Sequence, residues 1–140
     1  MADDALKVSL KVLVYSDDRN TREQVRMALG RRPAADLPPV EYVDTATEWA
    51  VLEELNKGGI ALAILDGEAT PSGGLGVCRT IKQEVFKSPP ILIVIARPQD
   101  QWLASWSRAD GVVSHPIDPI TTAAAAAELL RSQVAGGVAS

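Results

Sequence analysis

Thiols, imidazoles and long apolar runs are all scarce in this 140-residue chain, and each scarcity closes off a class of function. One cysteine, Cys78, excludes an internal disulfide framework and any zinc site built from several thiolates. One histidine, His115, leaves a Ser/His/Asp triad open only arithmetically. No G-x-S-x-G elbow is present, and Ser114 is merely its chain neighbour. The longest unbroken apolar runs, Ile60–Leu65, Ile91–Ala96 and Ala123–Ala127, fall far short of a membrane span. Basic residues are outnumbered, 14 Lys+Arg against 18 Asp+Glu, for a net charge of −4. Only Arg31 and Arg32 cluster, so no face suits a nucleic acid. The start, Met1-Ala-Asp-Asp-Ala, is acidic and lacks a signal-peptide layout. These absences predict a soluble, cytoplasmic, non-enzymatic protein: one domain over residues 1–140, its core about 11–134, with flexible ends.

What is present is the composition of an ordinary globular domain, 46% hydrophobic and 23% charged. A chain of this length buries about 68–70% of its unfolded surface and needs no covalent staple. Lys11–Tyr15, Ile60–Leu65 and Ile91–Ile95 read as short strands that are apolar throughout, with Val112-Val113 a shorter one and Val40–Val43 a further candidate. Continuously apolar strands suit a parallel sheet covered on both faces. Helical patterns lie between them. Thr21–Leu29 follows Asn20 as N-cap and turns Val25, Met27, Ala28 and Leu29 towards one face; Thr47–Asn56 carries Trp49, Val51, Leu52 and Leu55. Leu75–Val85 carries Cys78 on its apolar side, as a buried thiol. Gln99–Ala109 carries Trp102 and Trp106, and one of the two is expected in the core. Ile120–Val134 is Ala-rich, and Ala135–Ser140 is expected to fray. The proline-rich Arg31–Pro39 reads as an extended surface loop.

Five strands alternating with five helices make a doubly wound α/β domain, in which function collects at the carboxyl ends of the strands. Those ends carry Ser16-Asp17-Asp18, Asp66-Gly67-Glu68, Ala96-Arg97 and Ser114-His115-Pro116. The winding predicts that Asp17 and Asp66 converge. Two close carboxylates repel unless a cation or a proton lies between them. Hard oxygen ligands of this kind suit Mg²⁺, and a carboxylate beside a cation can act as a nucleophile towards a phosphoryl group. The alternative is a pair of solvated loop acids that cap the following helices.

Four segments in order, KVLVYSDD with Arg22, LAILDGEATPSGGLGVCRTIK, PPILIVIAR and ADGVVSHPIDP, resemble the receiver domain of two-component response regulators. The likeness runs from about Lys11 to Leu130. It implies a CheY-like, flavodoxin-like sheet of order 2-1-3-4-5, with Asp66 as phosphoryl acceptor and Asp17 as a Mg²⁺ ligand. Ser16, Asp18 and Glu68 are weaker candidates for the metal. It also implies a histidine kinase or other signalling protein as partner, and a stand-alone receiver with no room for an output domain. Four positions depart from the family pattern. Ser16 stands where a second acid is usual, and Ile95 where a Ser/Thr hydroxyl is usual. His115 replaces a lysine, and Val112 replaces an aromatic residue; Pro71 also comes one residue late after Asp66. Each lost charge-assisted hydrogen bond to a phosphoryl group costs on the order of 1.5–3 kcal/mol. Leu103 and Trp106 fall at positions that are often polar and exposed, which points to a partner interface or a homodimer through the helix 4–strand 5–helix 5 face. Three readings stay open: an atypical phosphorylated receiver, a phosphorylation-independent pseudo-receiver, and a flavin- or nucleotide-binding domain of the same architecture.

Overall fold

A computed structural model describes residues 9–135. The acidic start and residues 136–140 lie outside the described residues, and with them most of the end expected to fray. The chain order is β1 (Leu10–Tyr15), α1 (Arg19–Leu29), β2 (Val40–Thr45), α2 (Glu48–Lys57), β3 (Ile60–Asp66), α3 (Gly74–Glu84), β4 (Ile91–Ile95), α4 (Gln101–Ser107), β5 (Gly111–Ser114) and α5 (Pro119–Ala135). All neighbouring strands pair in parallel, in the expected order β2-β1-β3-β4-β5.

Alternate strand residues feed two cores. Val12, Val14, Leu62, Ile64, Leu92 and Val94 pack under α1 and α5, against Val25, Leu29, Ala126, Ala127 and Leu130. The residues between them, including Leu13, Ala63, Leu65, Ile93 and Ile95, pack under α2 and α3 against Val51, Leu55, Val77, Cys78 and Ile81. Strands buried on both faces need apolar side chains at every position, which is why these runs are continuous rather than alternating. Each large aliphatic side chain so buried contributes about 1.5–3 kcal/mol.

Several boundaries differ from the sequence reading for local reasons. Asp18, not Asn20, caps α1: Asp18 Oδ1 accepts from the Asn20 N–H at 2.9 Å, so the helix starts two residues early. Met27 lies two residues, over half a helical turn, from the buried Val25 and Leu29, so it faces solvent, 74% exposed, instead of joining the apolar stripe. Arg31–Pro39 is not simply an extended surface loop. Leu37 is buried in the core beneath α1 and α5, and its N–H donates to the Ala34 carbonyl at 3.2 Å. The fourth helix is shorter than its apolar pattern, because Pro98–Asp100 forms a separate 3₁₀ turn and Arg108 ends α4 in the left-handed conformation. Trp102 and Trp106 both stay at the surface, 67% and 48% exposed, so neither fills the core.

The start of α3 is fixed by glycine at Gly74. A Cβ there would sit 2.6 Å from the Asp66 carbonyl oxygen, whereas a Cβ on Gly76 meets nothing within 4 Å. Gly74→Ala is therefore expected to lose about 1–3 kcal/mol by overpacking. Gly76→Ala is expected to gain roughly 0.5–1 kcal/mol by removing helix-interior glycine entropy. Urea denaturation of both variants measures the difference, and equal effects would contradict the close approach of α3 to β3.

Candidate functional site

Parallel pairing of Tyr15 with Leu65 sets the next residues, Ser16 and Asp66, side by side at the carboxyl edge. Both are buried. The Ser16 hydroxyl donates to Asp66 Oδ2 at 2.8 Å, and the Glu68 N–H donates to Asp66 Oδ1 at 2.8 Å. The Ser16 oxygen in turn accepts from the Asp18 N–H at 3.0 Å. Below it, Arg22 Nη1 donates to the Ser16 carbonyl at 2.6 Å. Arg22 Nε lies 3.4 Å from Asp44 Oδ2 as an ion pair without hydrogen-bond geometry.

Asp17 is exposed at the mouth of the same edge. Its Oδ1 accepts from the Thr70 N–H at 3.0 Å and its Oδ2 from the Thr70 hydroxyl at 3.1 Å. These bonds, the backbone one foremost, hold the Asp17 carboxyl below its ordinary value. The Tyr15 phenol is pushed up by burial and then by the charges of Glu48, Asp17 and Asp66. That hydroxyl donates to the Ser72 carbonyl.

The side chains of the remaining candidates make other contacts. Asp18 spends its carboxylate on the α1 cap. Glu68 is exposed, and its charge acts on Arg97. Ile95 is buried in the α2–α3 core and offers no hydroxyl, and Val112 is half-buried against that same core. The His115 N–H donates to the Ile95 carbonyl at 2.8 Å. His115 itself lines a groove of about 680 Å³ with Gln24, Met27, Ala96, Ile117 and Pro119. Cys78 is buried as expected; its thiol donates to the Ser107 carbonyl at 3.3 Å, and burial pushes its pKa up. Leu103 is half-buried, while the Trp106 indole lies 4.7 Å from the Arg79 guanidinium, which also donates to the Trp106 carbonyl at 2.8 Å. Trp106 is thereby turned towards α3.

Mg²⁺ demands near-octahedral oxygen geometry, keeps several waters and is held by one or two carboxylates. Among the described residues no three His, Cys, Asp or Glu side chains gather, and both oxygens of Asp17 and of Asp66 already accept from protein donors. An Mg²⁺ held by Asp17 and Asp66 together with waters would have to compete with these protein donors for the carboxylate oxygens. Thr70 was not among the residues singled out from the sequence; its one trace there is the late Pro71, which lengthens the loop by the residue that reaches Asp17.

Because the folded-state carboxyl of Asp17 lies below its unfolded value, its contribution to stability is present above that unfolded value, about 3.9. It is lost as pH falls through the lower folded value. A carbon-detected NMR titration is expected to place the Asp17 midpoint below the ordinary range, and Thr70→Val is expected to raise it. A midpoint at or above the ordinary value in the wild type would contradict the geometry.

No protein-family model matches the chain. Two uncharacterized response regulatory proteins of Mycobacterium tuberculosis, from strains CDC 1551 and H37Rv, are each 52% identical over 124 residues, covering 89% of this chain and 93% of theirs. Solved structures share the fold at lower identity. The chemotaxis response regulator CheY4 of Vibrio cholerae matches with a TM-score of 0.71 at 20% identity, covering 87% of this chain and 99% of that one. The receiver domain of the Francisella response regulator 1452 matches with a TM-score of 0.74 at 13% identity, covering 89% and 99%. With an acid-lined carboxyl edge on a sheet of order 2-1-3-4-5 and relatives at this identity, the chain belongs to the response regulators of two-component systems, as a receiver domain.

Proposed function

We propose that this receiver acts as a phosphorylation-independent interaction module. The observation that supports the reading is that each of the four carboxylate oxygens of Asp17 and Asp66 accepts a hydrogen bond from the protein itself. A phosphoryl acceptor needs an accessible oxygen and a cation to offset the incoming charge, whereas both oxygens of the buried Asp66 are engaged by donors inside the fold. Ile95 supplies no hydroxyl to a phosphoryl oxygen, and His115 offers a flat imidazole in place of the long ammonium side chain of lysine. Two missing charge-assisted bonds at about 1.5–3 kcal/mol each amount to roughly a hundredfold or more in the population of a phosphoryl-stabilised state. The partner in this reading is a histidine kinase or another signalling protein met in the cytoplasm. The exposed indoles of Trp102 and Trp106, with Leu103 beside them on α4, supply the contact area, whether for that protein or for a second copy through the α4–β5–α5 face.

The alternative is a receiver in which Asp66 takes the phosphoryl group, Asp17 helps to hold Mg²⁺ and His115 stands in for lysine. The position of Asp66 at the carboxyl end of β3, beside Ser16 and Asp17, favours it. Incubation with Mg²⁺ and a small-molecule phosphodonor, followed by intact-mass measurement, separates the two. The expected result is no mass gain. A gain of one phosphoryl group that disappears in Asp66→Ala would establish the alternative.

A further inference from the structure

We infer that Thr70 does the work of a divalent cation at this edge: it clamps the β1–α1 loop to the β3–α3 loop, so the acid pocket keeps its shape with no metal and excludes Mg²⁺ while Thr70 is in place. Two carboxylates at neighbouring strand ends must be neutralised or hydrogen-bonded. Here the donors are neutral and come from the chain. Thr70 presents its N–H and its hydroxyl to the two oxygens of Asp17, a two-point contact across 53 residues of sequence. Ser16 supplies a hydroxyl to Asp66 in place of a further negative charge.

Thr70 is held at this point from both sides. Ala69, its predecessor, is buried in the α2–α3 core, and its N–H donates to the Asp66 carbonyl at 3.2 Å. Two residues further on, the Ser72 carbonyl accepts from the buried Tyr15 hydroxyl. Gly67 is tied to β4 by its N–H, which donates to the Val94 carbonyl at 2.8 Å. The contact with Asp17 therefore needs little ordering of the loop as it forms, unlike a chance pairing of two exposed side chains. A cation entering at Asp17 would compete with both Thr70 donors for the carboxylate, and among the described residues no group of three His, Cys, Asp or Glu side chains is gathered to hold it.

This inference does not rest on the interaction-module reading; a phosphoryl group found on Asp66 would overturn that reading and leave the clamp to be judged on metal binding alone. The test titrates MgCl₂ against the full chain by calorimetry and by ¹H–¹⁵N NMR, and compares melting in EDTA with melting in excess Mg²⁺. The wild type is expected to melt at the same temperature in both, with no saturable shift of the Asp17 or Thr70 amides. Thr70→Val, which removes the hydroxyl and keeps the shape, is expected to show a saturable Mg²⁺-dependent shift of the Asp17 amide that the wild type lacks, a gain of about tenfold or more in affinity, the equivalent of one charge-assisted hydrogen bond. Saturable Mg²⁺ binding with a raised melting temperature in the wild type would overturn the inference. So would a Thr70→Val protein that binds Mg²⁺ no better than the wild type. The wild-type comparison needs no variant, so a misfolded Thr70→Val would not shelter the claim.

Discussion

The buried hydrogen bond from Ser16 to Asp66 is the point on which the rest of the site depends. It exists because β1 and β3 pair in parallel with Tyr15 opposite Leu65, so the residues that leave the two strands emerge together. A buried carboxylate without partners would cost several kcal/mol or take up a proton. With the Ser16 hydroxyl on one oxygen and the Glu68 N–H on the other, Asp66 is accommodated 6% exposed. The first turn beyond β1 is organised by the same serine, whose oxygen accepts from the Asp18 N–H and whose carbonyl accepts from Arg22.

From that bond the departures from the family pattern read as one adjustment instead of four separate losses. A neutral residue at position 16 lowers the negative charge of the edge, which lowers its demand for a cation. The longer loop before Pro71 brings Thr70 to Asp17, so the second carboxylate is satisfied too. In the proposed phosphorylation-independent reading, a hydroxyl at 95 and a permanent cation at 115 would have no task at this edge. Ile95 goes to the core and His115 faces a groove beside α1. Exposed aromatic rings lie elsewhere, among them Trp102 and Trp106 on α4, where the Arg79 guanidinium covers one face of the half-exposed Trp106 ring.

The fold was legible because strands covered on both faces must be apolar at every position, and Ile91–Ile95 or Ile60–Leu65 admit few other readings. The convergence of Asp17 and Asp66 at one edge followed from the same winding. Features decided by single long-range contacts were not legible. Thr70 reaches Asp17 only after the sheet has formed, and Leu37 looks like any loop leucine until α1 and α5 roof it over. Asp18 and Asn20 are equally good caps by residue type, and which of them caps the helix was not legible from the sequence. The two α4 tryptophans misled because a large apolar residue at helical spacing suits a core and a docking face equally well.

The central claim is that the oxygens of Asp17 and Asp66 are already satisfied by the protein. The amide resonances of Glu68 and Thr70 report on it most directly, since each of those N–H groups donates to one of the two carboxylates. Recorded with and without Mg²⁺ and beryllofluoride, a mimic of the phosphoryl group, the two resonances are expected to stay where they are. A large, saturable displacement of both would contradict the account and return the domain to the phosphorylated receivers.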